Sequence, residues 1–147
     1  MLTNTLIALF KRDLNKLIEE IELYKTDSHI WKIEGSVTNS AGSLCLHLIG
    51  NINHFIGSVL GNTGYVRQRD LEFSLKDVPK SELIKQIEDT LIAVERTLKI
   101  VTPEDLQKEY QLQVFKEPMT TEYFLVHLST HLAYHLGQIN FHRRLLD

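Results

Sequence analysis

Apolar residues return every three or four positions along four stretches of the chain, the period of an α-helix with one buried face. From about Asn4 to Tyr24 the series is Leu6, Leu9, Phe10, Leu14, Leu17, Ile18 and Ile21. A second stretch runs from about Ala41 to Leu60, entered through Asn39 and Ser40, both good helix-capping types, and left through Gly61-Asn62. The third begins near Lys80, after Pro79, and carries Leu83, Ile84, Ile87, Leu91, Val94 and Leu98 before Pro103 ends it. The fourth begins after Thr120 or Thr121 and continues to about Leu146. No stretch shows the two-residue alternation and flanking turns of a hairpin strand.

Helices of about 20 residues are near 30 Å long, and four of them with one apolar stripe apiece predict an all-α four-helix bundle. The connections refine this. The link from Gly61 to Pro79, at roughly 3.3 Å per extended residue, can run the length of a helix, so the second and third helices can be parallel. The link before the fourth helix is also long, and YQLQVF within it reads as a short extended segment.

Composition narrows the class. With 147 residues and 43% hydrophobic content, the chain fits one domain, 1–147, that can bury a core without disulfide or metal support. Its net charge of -3, with lysines and arginines scattered among acids, gives no basic stripe for nucleic acid. The N-terminal MLTNTLIALFKRDL carries charge where a signal peptide needs its apolar run, and no apolar run approaches the roughly 18 residues of a membrane span. A soluble, cytoplasmic protein is the expectation. The single cysteine, Cys45, falls on the apolar arc of the second helix and reads as a small core residue rather than a nucleophile.

Candidate chemistry is concentrated in HLSTHLAYHLGQINFH, which holds four of the seven histidines: His127, His131, His135 and His142. At about 100° per residue, Leu125, Leu128, Leu132, Leu136 and Ile139 form one core arc, and the imidazoles, with Gln138, form a row along its edge. The second helix repeats the design. Its apolar arc of Leu44, Cys45, Leu48, Ile52, Phe55, Ile56 and Val59 is flanked by His47, Asn51 and Ser58, with His54 just behind. Histidines four residues apart project from one face and can reach a single ion. A third nitrogen must come from another helix, and His47 or His54 can supply it.

Other chemistries are excluded by what the motifs lack. Neither HLSTH nor HLAYH has the glutamate of HExxH, and no Glu precedes a His by three residues as in di-iron bundles. There is no phosphate loop and no calcium-binding EF-hand loop. Arg67 and Arg69 of YVRQRD are candidates for binding an anionic substrate group; the alternative is an ion pair with Asp70 or Glu72. Trp31 and Phe73 read as packing residues.

HLAYHLGQ, taken with LHLIGNINHFIG, WKIEGSVTNSAGSL and YVRQRDLEF, resembles the DinB/YfiT-like superfamily of metal-binding four-helix bundles, and within it a subgroup largely of unassigned function. The resemblance implies an up-down-down-up bundle with a divalent metal, zinc or nickel, held by His47, His131 and His135. It makes Asn51, His54, His127 and Gln138 neighbours of the site. His142 lies about 10 Å further along the helix axis, too far for the same ion, and is expected to be structural or exposed. Related proteins include transferases that use low-molecular-weight thiols such as bacillithiol or mycothiol, besides isomerases and hydrolases. The implied activity is thiol S-transfer to a small-molecule electrophile, with hydrolysis, or a non-catalytic metal-binding or stress-related interaction protein, as competing readings. A homodimer is a further candidate, through the small residues Ser129, Thr130, Ala133 and Gly137 on the outward sector of the last helix, with plain solvent exposure as the alternative reading of the same residues.

Overall fold

The long apolar stripes all become helix in the computed structural model, which describes residues 1–147. Four helices carry the architecture: α1 (Leu2–Leu23), α2 (Ala41–Ile52, prolonged by a π-helical turn over Asn53–Ser58), α4 (Lys80–Ile100) and α6 (Thr121–Leu146). Two short ones, α3 (Arg69–Ser74) and α5 (Pro103–Gln107), and a 3₁₀ turn at Asp27–Trp31 lie in the connections. No helix is long and apolar enough to cross a membrane.

Local chemistry sets the helix starts. Ser40 Oγ accepts the Ser43 N–H at the head of α2, and Thr120 accepts the Tyr123 N–H at the head of α6, each satisfying an amide that the helix itself leaves free. Pro103 does more than end a helix: it opens α5, where Thr102 and Asp105 form a reciprocal capping box.

Contacts between the ends fix the topology. Lys80, starting α4, donates to the carbonyl of Tyr24 just past α1, so these helices are antiparallel. Tyr24 meets His142 near the end of α6, so α1 and α6 are parallel. Asn53 bonds Thr90, and Gly61 lies against Thr97, so α2 and α4 run the same way. His47 meets His131 while Phe55 meets Phe124 edge to face, so α2 and α6 are antiparallel. The bundle is therefore up-down-down-up, and the Gly61–Pro79 crossover joins its parallel central pair.

One contiguous core fills the interior, with Phe10, Leu14, Leu17, Leu48, Ile52, Leu83, Ile87 and Phe124 among its most buried members. All five residues of the apolar arc read on α6 are buried in it, as is Cys45. Burial pushes the Cys45 thiol up to about 12.

Two expectations need correction. The second helix is not uniformly α: the Asn53 side chain donates to the Ile49 carbonyl and to Thr90, and the backbone widens to a five-residue repeat in which Val59 N–H reaches the His54 carbonyl. The YQLQVF segment makes no strand. An isolated bridge joins Glu109 to Thr120, supported by Tyr110 N–H to the Met119 carbonyl, and the residues between close as a loop. Tyr110 anchors that loop by donating its hydroxyl to the Phe55 carbonyl at 2.7 Å.

Candidate metal centre

The polar edges of α2 and α6 face each other, and three imidazoles converge there. His131 Nε2 lies 3.1 Å from His135 Nε2 and 3.3 Å from His47 Nε2. One nitrogen from each of the three falls within 4.8 Å of the others. The rings meet edge to face, at centroid distances of 4.5 Å for His131–His135 and 5.1 Å for His47–His131.

The outer nitrogens show how the inner ones are set. His47 Nδ1 lies 3.1 Å from Glu72 Oε1, and His135 Nδ1 lies 2.7 Å from Gln138 Oε1. Carboxylate and amide oxygens only accept, and Glu72 is nearer to His47 Nδ1 than the donor Arg67 Nη2 at 3.4 Å, so the arrangement favours a proton on both Nδ1 atoms and lone pairs on both Nε2 atoms. His131 Nδ1 is buried with no hydrogen-bond partner. A proton on His131 Nε2 can reach only one of the two lone pairs that face it, whereas a cation between the three nitrogens accepts from all of them at once. The donor set therefore fits a divalent ion of the kind imidazoles bind, and this holds without any carboxylate among the three.

Burial favours the neutral form of His131 and His47. His131 is pulled down to about 4, first by burial and then by His135 and His47. Burial also lowers His47, although Glu72 partly offsets it. Neutral imidazole is the form that binds metal.

In the sequence Glu72 stands out only as a partner for arginine. It sits on α3, 5% exposed, in the space beside Gly50, where an added Cβ would collide with Glu72 Oε2. Arg67 clasps it bidentately, Nε to Oε2 at 2.8 Å and Nη2 to Oε1 at 2.9 Å. The arrangement is His47–Glu72–Arg67, in which the carboxylate orients the imidazole and the guanidinium holds the carboxylate. Gly50, one turn along from His47, was the legible signal, because a glycine inside a helix costs about 1 kcal/mol relative to alanine and marks a close approach.

The other named residues separate. Arg67 is engaged by Glu72 and is not free for an anion, which corrects its assignment as an anion-binding candidate. Arg69 does not join that pair; its guanidinium lies 5.7 Å over the Phe73 ring. Phe73 is more than packing, since it tilts against His47 at 5.2 Å and borders the site. Trp31 packs over Gly42, as a packing residue should.

His127 stands outside the trio, 6.3 Å from the His131 ring and against Phe115 at 4.9 Å. His54 packs on Phe55 at 4.7 Å and is likewise apart. Asn51 is buried, and its Oδ1 has no partner. His142 is buried and structural: Tyr24 OH donates to its Nδ1 at 2.6 Å, and its Nε2–H donates to the Lys32 carbonyl at 2.7 Å. Thr130, Ala133 and Gly137 face solvent, and Ser129 is half-buried.

Fold and site together define an all-α bundle with a three-histidine cluster between antiparallel helices. The chain belongs to DUF1572, a family of proteins of unknown function, whose family pattern matches residues 4–147. No curated protein matches the chain.

Proposed function

We propose that the protein is a divalent-metal-dependent enzyme of the DinB-like kind, with His47, His131 and His135 as ligands, transferring a thiol sulfur to a small electrophile. The observation that carries the reading is the convergence of three Nε2 atoms, two of them with tautomers set by Glu72 and Gln138. A divalent ion held there, zinc or nickel by donor type, lowers the pKa of a thiol or water that joins it.

The surroundings favour a thiol over water as nucleophile. A free thiol ionises near pH 8.5, whereas water needs about 15.7, so a thiol asks far less of a dedicated base. Glu72, the carboxylate that reaches the trio, has both oxygens clasped by Arg67. It serves to hold His47 in place. Phe73 covers one side of His47, and Arg69 beside it is placed to meet an anionic group on a thiol co-substrate.

The test has two arms. Metal content of the purified protein is compared with that of a His131→Ala, His135→Ala double variant; equal Zn²⁺ or Ni²⁺ uptake at neutral pH ends the metal reading. Low-molecular-weight thiols are then screened with 1-chloro-2,4-dinitrobenzene, where sulfur bonds the ring carbon, chloride leaves with the bonding pair and the thiol proton passes to solvent. A rate that survives a chelator unchanged rules out the transferase.

A further inference from the structure

A cavity of about 870 Å³ opens beside the trio, between the C-terminal half of α6 and the loop that leads into α2. His135 is shared: its ring lines the cavity, while its Nε2 faces His131. The volume lies within the range of small-molecule sites, roughly 300–1,000 Å³.

The walls specify the occupant. Val37, Leu44, Tyr134, Phe141, Leu145 and Leu146 supply apolar surface. No lysine or arginine lines the space, and the one carboxylate is Glu34 at the rim. His142 also borders it, but both its nitrogens are satisfied within the protein by Tyr24 and Lys32. An anion entering would lose water and find no counter-charge, which is costly. A neutral apolar molecule loses little, and Ser36, Thr38 and Asn39 offer hydroxyl and amide groups for its polar atoms.

We infer that this cavity seats the second reactant, an uncharged, mainly apolar organic electrophile whose reacting end lies at His135. The direction of the ligand rests on the metal-site reading above; its chemical class follows from the walls alone. Thiol and electrophile would then approach the trio from different sides, the anionic thiol past Arg69 and Phe73 and the neutral partner past His135.

The test uses two dyes that share one ring system, neutral N-phenyl-1-naphthylamine and its sulfonate analogue 8-anilinonaphthalene-1-sulfonate. The neutral dye is expected to saturate one site roughly tenfold more tightly than the sulfonate. Val37→Trp fills the cavity from a loop position that is 42% exposed, and Leu145→Asp brings charge to a wall position that is 71% exposed, so neither disturbs the core. Each is expected to weaken the neutral dye about tenfold with an unchanged urea midpoint. Cu²⁺ should quench the bound dye in the unaltered protein and fail to do so in His131→Ala. Equal affinity for the two dyes, or binding untouched by both substitutions, overturns the inference even where metal uptake is normal. Loss of the metal reading alone would show instead as no metal uptake with the dye contrast intact.

Discussion

Glu72 Oε1 lies 3.1 Å from His47 Nδ1, and its carboxylate occupies the place that a side chain on Gly50 would take. The pairing links the crossover to the candidate metal centre at the outer nitrogen of His47. Gly50→Ala is therefore expected to weaken metal binding by roughly ten- to a hundredfold, the usual cost of disturbing a group that orients a ligand. The helix itself gains from alanine, by about 1 kcal/mol. Chelator competition and a urea titration on the same variant separate the two effects.

The clasp between Arg67 and Glu72 makes a second prediction. Both side chains are largely buried, 12% and 6% exposed, so Glu72→Ala strands the guanidinium and should cost about 3 kcal/mol in urea unfolding. Adding Arg67→Met removes the stranded charge and should restore most of that stability. Metal affinity is expected to stay low in both variants, because His47 has lost its acceptor in each. Recovery of affinity along with stability would remove the orienting role given to Glu72.

Acid should destabilise the metal-free protein through His131. Its ordinary value of 6.5 is pulled down to about 4 in the folded chain. Between those values the unfolded chain takes up a proton that the folded one refuses, so stability falls as the pH falls through that window. Urea midpoints measured with chelator from pH 7 down to pH 4 are expected to decline less steeply in His131→Gln than in the unaltered protein.

Cys45 should be inert. The thiol is fully buried, and burial pushes it up to about 12, leaving almost no thiolate at neutral pH. Iodoacetamide at pH 8 is expected to leave the native protein unmodified and to label it once urea is added. Rapid native labelling, read by mass spectrometry, would remove Cys45 from the core.

Tyr24→Phe tests the structural role of His142. The substitution leaves His142 Nδ1 buried without its donor, at a cost of about 1–3 kcal/mol. Metal uptake should not change, since His142 stands apart from the trio.

Much of this arrangement was legible in the sequence. The three-and-four spacing of Leu125, Leu128, Leu132, Leu136 and Ile139 gave the buried face of α6, and the length of the Gly61–Pro79 link allowed the parallel central pair. Spacing alone left open which histidines meet, because His127–His131 and His131–His135 are equivalent pairs on a helix. What separates them is tertiary: His47 stands across from His131 and His135, at ring distances of 5.1 and 5.4 Å. Glu72 was hidden for a different reason. α3 has six residues, too few for periodicity to register, and its carboxylate reaches the site only because the crossover folds back over Gly50.

The π-turn at Asn53–Ser58 lets one helix serve two partners. Before it, α2 is in phase with α6 and presents His47; beyond it, the added residue shifts the register, and Gly61 is turned toward Thr97. The turn thus acts as an angular offset between the chemistry at one end of α2 and the packing at the other. Removing one residue there would bring the two ends into a single phase, and either the histidine row or the seam with α4 would have to rotate out of place.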